Sequence, residues 1–366
     1  MNTRNFFAAC LAAALAAPAA AATNGLHWFL TDQVLGESTA ETQVVETPDF
    51  RLASCDTCCE AADACCGSDC CGSDCCGCDG CCDACGCCDC CSCCDSGLLG
   101  LGLIKRSDHC FDNWISPITN PVFFEDPRTL TEARVIFLQH KVPGGATAGG
   151  DVQLLAVQLR GAITERLSII ATKDGYAWSS NPVVQDGWAD VALGLKYNLI
   201  RDTRNQVLVS TGVVYELPVG STRTKQGNGD GEFHLFLTGG AQLCCDWHVL
   251  SAFGLRLPTN GFEEETSLYW SNHVDCHLGH GFYALAEFNW YHWLEDGGNG
   301  IPGVSGGDLM NLGSTGIAGN NIVTGAFGVK YKPSGNYELG LAWENPLTQR
   351  RDLIENRLTL DLILRY

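Results

Sequence analysis

Residues 357–366 read Arg-Leu-Thr-Leu-Asp-Leu-Ile-Leu-Arg-Tyr. Side chains of an extended chain alternate between two faces. Leu358, Leu360, Leu362, Leu364 and Tyr366 therefore share one face, while Arg357, Thr359, Asp361 and Arg365 share the other. A long apolar face backed by a charged one suits a closed barrel in lipid, with the leucines outward and the charges turned into the lumen.

The same alternation recurs through the last two thirds of the chain. In 187–199, Ala189, Val191, Leu193, Leu195 and Tyr197 oppose Trp188, Asp190, Ala192, Lys196 and Asn198. In 205–217, Val207, Val209, Thr211, Val213, Tyr215 and Leu217 oppose Gln206, Ser210 and Glu216. Counting such runs gives about twelve, near 132–141, 151–161, 166–177, 187–199, 205–217, 233–243, 247–257, 266–277, 281–293, 321–332, 336–345 and 355–366. The expected fold is all-β, a transmembrane antiparallel up-and-down β-barrel of about twelve strands. A soluble β-sandwich also alternates, but it does not need runs of ten or more residues as a rule. Connections at 162–165, 200–204, 244–246, 278–280 and 333–335 are short, whereas 219–232 and 294–320 are long and Gly-rich. Short turns at one end and long loops at the other match outer-membrane barrels, with the short side and both termini periplasmic. Trp188, Tyr197, Tyr215, Trp247, Trp290, Tyr331, Trp343 and Tyr366 fall toward strand ends, where rings sit at the lipid–water interface.

Upstream of the barrel the chain changes character several times. Residues 1–22 have a basic start, a short apolar run and small residues before a cleavage point, the pattern of an export signal. Residues 23–54 form a polar lead-in, and 55–95 are rich in Cys, Asp and Gly. Residues 96–130 carry Pro117, Pro121 and Pro127, which exclude a long helix or central strand. They are expected to form an irregular linker or plug, inside or under a barrel spanning 131–366. The net charge of -20 argues against nucleic acid as a partner.

Nineteen of the 24 cysteines lie in 55–94, mostly as adjacent pairs, alongside nine acidic residues in 55–95 and no Lys or Arg. So few apolar side chains cannot bury a core. Three readings follow: disulfide cross-links in an oxidising compartment, thiolate coordination of soft metal ions, or a disordered spacer. For metal ions the ligand candidates are Cys65, Cys66, Cys70, Cys71, Cys75, Cys76, Cys81 and Cys82. Outside this segment, Cys110, Cys244, Cys245 and Cys276 are disulfide candidates, because the topology brings the last three to one end of the barrel. The bland alternative is unpaired thiols packed as small apolar groups.

Three stretches carry a family resemblance. They are 187–199 (Gly-Trp-Ala-Asp-Val-Ala-Leu-Gly-Leu-Lys-Tyr-Asn-Leu), 211–221 (Thr-Gly-Val-Val-Tyr-Glu-Leu-Pro-Val-Gly-Ser) and 284–290 (Ala-Leu-Ala-Glu-Phe-Asn-Trp). Together they resemble the outer-membrane barrel family named for the meta-pathway of phenol degradation, over roughly 130–366. That resemblance implies an outer-membrane channel or transporter, and says more about fold and compartment than about cargo. The cysteine-rich segment followed by 120–134 (Asn-Pro-Val-Phe-Phe-Glu-Asp-Pro-Arg-Thr-Leu-Thr-Glu-Ala-Arg) resembles exported barrels of the planctomycete lineage.

Alternation assigns to the lumen Arg160, Asp190, Lys196, Glu216, His234, His248, Arg256, Glu287, Lys330, Glu338, Glu344, Arg357, Asp361 and Arg365. These charges could pair across the lumen or line a polar path for small solutes. Ser271 with His273, and Ser251 with His248, are the nearest approach to a hydrolase pair, but no Gly-x-Ser-x-Gly or His-Glu-x-x-His motif supports catalysis. The expectation is a non-enzymatic channel or transporter whose partners are membrane lipid, the barrel-assembly machinery and small solutes. Its cysteine-rich appendage would plug, anchor or gate it. The alternative is a structural or metal-binding envelope protein that uses the barrel as its anchor.

Overall fold

In the computed structural model the described residues are 102–310 and 312–366. The expected export signal, the polar lead-in and the cysteine-rich segment, with Cys65, Cys66, Cys70, Cys71, Cys75, Cys76, Cys81 and Cys82, lie outside them. The first strands are β1 (Glu132–Val142), β2 (Gly150–Ala162), β3 (Leu167–Lys173), β4 (Tyr176–Ser179), β5 (Gly187–Trp188), β6 (Val191–Asp202) and β7 (Val207–Leu217). The remainder are β8 (Glu232–Cys244), β9 (Trp247–Pro258), β10 (Thr266–Gly279), β11 (Phe282–Glu295), β12 (Asn321–Ser334), β13 (Tyr337–Pro346) and β14 (Asn356–Arg365). All pairings between them are antiparallel.

Two barrel strands are each interrupted once. β3 and β4 run one after the other along β2, and β5 and β6 run along β4 and β3. The result is a closed barrel of twelve strands. Closure is made by β1 against β14, from Glu132↔Arg365 to Lys141↔Asn356, which is the partner the terminal strand was expected to take.

The first interruption sits at Gly175, whose φ of +117° suits glycine, and a Cβ there would lie 2.5 Å from the Leu155 carbonyl oxygen. The second corrects the reading of 187–199 as one unbroken strand. Trp188 and Asp190 were expected on one face, yet Trp188 is 65% exposed and Asp190 is buried. The cause is the Asp190 carboxylate, which accepts the Gly220 and Gly227 amides and draws the chain inward between β5 and β6.

On β14 the alternation is strict: Leu358, Leu360, Leu362 and Leu364 are exposed, and Arg357, Thr359, Asp361 and Arg365 are buried. Leu193, Leu195, Leu235, Leu237, Phe327, Val329, Leu339 and Leu341 continue the outward apolar surface around the wall. A continuous belt of this kind is what lipid tails cover. No helix among the described residues is long and apolar enough to cross a membrane. The turns at 163–166, 203–206, 245–246, 280–281 and 335–336 lie at one end, and the longer loops, including 218–231 and 296–320, at the other.

Candidate functional site

The lumen is filled from both ends. At the short-turn end the chain enters beside the terminal strand, where the Ser107 amide donates to the Tyr366 carbonyl at 2.7 Å, and returns beside its own entry, Asp108 N to Thr129 O at 2.9 Å. Between these points, residues 114–130 are all buried. Prolines prevent this segment from pairing as a strand, so its peptide groups need other partners. The barrel wall provides them. Glu287 accepts the Ile118 amide at 2.8 Å and the Thr119 amide at 2.6 Å, and Glu338 accepts the Ser116 amide at 3.1 Å. Wall donors reach the carbonyls: Arg134 to Pro117 (2.8 Å), Gln158 to Pro121 (2.7 Å), Lys196 to Asp126 (2.5 Å), Ser210 to Pro127 (2.6 Å) and Thr238 to Glu125 (2.7 Å).

Charges of the plug and the wall interlock. Glu125 is held by Arg160 at 2.6 Å and by Lys196 at 2.7 Å, and Arg128 by Asp126 at 2.7 Å. Arg160 also reaches Glu132, which in turn binds Arg365, and Arg365 continues to Glu338. Lys330 bridges Glu338 and Asp361, and Arg134 closes onto Asp361 at 2.8 Å. A second chain runs His248, Asp275, His273, Glu287, with contacts of 2.8, 3.1 and 2.7 Å. The two ring nitrogens of His273 each face a carboxylate oxygen, Nδ1 that of Glu287 and Nε2 that of Asp275. Higher up, Phe123 stacks on Tyr269 with ring centroids 4.9 Å apart, and the Arg256 guanidinium lies 4.8 Å from the Phe123 centroid.

From the long-loop end, 296–320 folds down into the barrel. The Asp296 carboxylate collects the Gly316, Ile317 and Ala318 amides at the loop's base. Deeper, Asp308 forms a two-pronged pair with Arg357 at 2.7 and 2.8 Å, Arg256 donates to Gly307 O, and Gln226 to Leu309 O. Val304, Leu309, Met310 and Leu312 pack on Ile136, Leu138, Val142 and Val152 of the wall. Where loop and plug meet, a largely apolar cavity of about 40 Å³ remains, lined by Pro121, Val122, Leu309 and Met310 among others. In the loop 259–265, the buried Glu264 has its carboxyl pushed up to about 8 by burial and by the nearby Glu232 carboxylate.

All fourteen residues assigned to the lumen are buried. Arg160, Lys196, Glu287, Glu338 and Arg365 touch the plug directly, and Arg256 and Arg357 touch the loop 296–320. Glu344 accepts from Thr324 and Asn289, and His248 binds Asp275. Sequence reasoning missed Glu125, Asp126 and Arg128 on the plug, Glu132, Arg134, Lys173, Glu232 and Asp275 on the wall, and Asp308 in the loop, and it weighed His273 only as a partner of Ser271. Strand parity carried the signal for several of these: Glu132 and Arg134 alternate with Ala133 and Val135, and Asp275 shares parity with His273 and Ser271.

Among the described residues no disulfide joins Cys110, Cys244, Cys245 and Cys276 to one another. Cys110 lies at the plug's entrance against Arg201, and Cys276 is in register with Trp247, just past the turn that carries Cys245. Neither Ser–His pair is joined. The Ser271 hydroxyl accepts from Asn120, and Ser251 bonds Asn272 and Trp270.

No family model and no curated protein matches this chain. Among solved structures it is similar to an outer membrane channel from Pseudomonas putida F1, at 12% identity and a TM-score of 0.48, covering 69% of this chain and 100% of that one. It is also similar to the NanC porin (10% identity, TM-score 0.42, 64% of this chain, 100% of that one) and the KdgM porin (9%, 0.40, 64% and 99%). The barrel assignment itself rests on the strand pairings and the outward apolar belt.

Proposed function

We propose that this chain is an outer-membrane channel for small solutes whose resting state is closed by the plug 107–131 and the loop 296–320. The observation that carries this reading is the way the lumen is filled. Its inner wall meets the plug through hydrogen-bonded charges that water can solvate once the plug withdraws, set between separate apolar clusters around Phe111 and Trp114, Ile115 and Ile118, and Phe123. In this reading residues 1–22 direct export, the short-turn end is periplasmic, and the barrel is inserted by the assembly machinery that reads the terminal strand. The cysteine-rich segment would sit on the periplasmic side as an anchor or gate for the plug that follows it. Kinship with the meta-pathway family belongs to the same proposal, and so does the absence of a catalytic role.

Planar-bilayer recordings test it. The refolded full chain should show rare openings, and Glu287→Gln, which loosens the plug, should open more often. If neither conducts, and a chain lacking residues 23–107 is silent as well, the channel reading fails. The packed lumen then favours the second reading, a barrel that anchors the cysteine-rich segment in the envelope. Metal stoichiometry and free-thiol counts on that segment would test it.

A further inference from the structure

β7 and β8 place two carboxylates opposite each other. Glu216 is in register with Glu232, and both side chains are buried on the inner face. Like charges directly across a ladder repel unless something positive lies between them. His234 follows two residues along β8 on the same face, also buried.

The oxygens of the two carboxylates divide cleanly. Glu216 Oε1 receives Lys173 Nζ at 2.5 Å, and Glu232 Oε1 receives Arg256 Nε at 2.7 Å together with the His234 Nε2 contact. Glu216 Oε2 and Glu232 Oε2 are buried without a hydrogen-bond partner. Glu216 Oε2 lies 3.6 Å from His234 Nε2, and one donor atom from each of the three residues falls within 4.8 Å of the others. Holding one oxygen of each ligand by a fixed cation while leaving the other open is how outer-shell groups orient metal-binding carboxylates. A third carboxyl group, Glu264, lies near Glu216 and Glu232 and keeps its own buried Oε2 unpartnered.

We propose that Glu216, Glu232 and His234 form a binding site for a divalent first-row transition-metal ion inside the barrel. Two carboxylate oxygens and one imidazole nitrogen suit Mn²⁺, Fe²⁺ or Zn²⁺, whereas Ca²⁺ takes six to eight oxygens. The ion would tie β7 to β8. Arg256, which touches both Glu232 and Gly307 O, would carry its presence to the loop 296–320. The site stands whether or not the lumen conducts.

Mn²⁺ is the probe, because thiolates in the cysteine-rich segment discriminate against it in favour of softer ions. The full chain in detergent is titrated with Mn²⁺ and read by electron paramagnetic resonance, with pulsed measurements for nitrogen coupled to the bound ion. One bound ion with imidazole nitrogen coupling is expected. His234→Gln should lose the nitrogen signal, and Glu216→Gln should weaken binding about tenfold or more. Asp246→Asn, on the exposed turn, should change neither. Bound Mn²⁺ without nitrogen coupling would place the ion elsewhere and overturn the proposal, as would no binding at all or a nitrogen signal that survives His234→Gln. Heat-dependent gel mobility checks folding, and if Glu216→Gln fails to fold, His234→Gln, which keeps both carboxylates, decides alone.

Discussion

Replacing Glu287 by Gln removes one charge and almost no volume, and it falls where the plug is tied most tightly. The Glu287 carboxylate accepts four hydrogen bonds: the Ile118 amide, the Thr119 amide, the Thr119 hydroxyl and His273 Nδ1. Three of the four come from the plug. A glutamine keeps one acceptor oxygen and turns an NH₂ toward donors. The two bonds that survive fall from about 1.5–3 kcal/mol each to about 1, and with the NH₂ turned toward Thr119 the hydroxyl can rotate to accept while the amide is left buried without a partner at about 1–3 kcal/mol. The total is about 3–5 kcal/mol, in line with breaking a buried charged pair. At 1.4 kcal/mol per tenfold, the population of chains with the plug withdrawn rises by about 10²–10³. Hydrogen exchange followed by mass spectrometry reads this directly. Peptides covering 112–128 should exchange faster by that factor, peptides from β14 should not, and channel openings should rise in parallel. Unchanged exchange in 112–128 would refute the reasoning. Equal acceleration throughout the barrel would refute it too, since the ties would then hold the whole fold rather than the plug.

Arg357→Met strands Asp308 in the loop without its two-pronged partner, a loss of about 3–5 kcal/mol. Proteases should then cut within 298–319 faster, and an unchanged cleavage rate would count against the loop's being held from below. Burial and the Glu232 carboxylate push the Glu264 carboxyl up to about 8 from its ordinary 4.5, so the folded protein keeps a proton that the unfolded chain has lost between those values. Stability therefore declines as pH rises from about 4.5 to 8. In Glu264→Gln this part of the slope should vanish in the midpoint of the heat-dependent gel shift measured from pH 5 to 9. Leu360→Arg puts a charge on the outward face of β14 and should cost about 2–4 kcal/mol of barrel stability in bilayers. A neutral result in a urea titration in lipid would mean that this face does not meet hydrocarbon. Deleting 357–366 removes the strand that closes on β1 and should abolish insertion, and a truncated chain that still shows the gel shift would contradict that closure.

The wall was legible because a period of two is the one signal a barrel strand cannot hide, and β14 shows it at every position from Arg357 to Arg365. It failed at Asp190, where a side chain bonded to Gly220 and Gly227 reset the alternation that Trp188 had begun. The plug's contents were less legible. Pro117, Pro121 and Pro127 excluded regular structure, but nothing local says that Glu125 meets Arg160 and Lys196, or that Glu287 takes the amides of Ile118 and Thr119. Those partners are brought together by closure of the sheet, and closure is a property of the whole chain.

The chemistry of the filling sets how firmly it closes. An apolar plug against an apolar wall would behave as a protein core, and withdrawing it would expose hydrocarbon to water at about 25 cal/mol per Å². The segment 107–131 does so in part, with Phe111, Trp114 and Phe124 on Leu208 and Leu250, Ile115 and Ile118 on Leu285, and Phe123 on Phe236 and Tyr269, and between these clusters it meets Arg160, Lys196, Glu287, Lys332, Glu338 and Arg365. Burying each of those charges costs several kcal/mol of solvation that pairing only partly offsets, and water entering the lumen returns it. The charged part of the closure is thus weaker than the same area of apolar contact, and the apolar clusters carry the rest. The loop 296–320 combines the same two kinds of contact: Leu309, Met310 and Leu312 lie on Ile136, Leu138 and Val152, with Arg357–Asp308 beneath them. Closure at each end should therefore yield to the loss of either kind of contact. Trp114→Ala, which empties the cluster on Leu208 and Leu250, should speed exchange of 112–128 as Glu287→Gln does, and an unchanged rate would place the closure at the short-turn end on its charges alone.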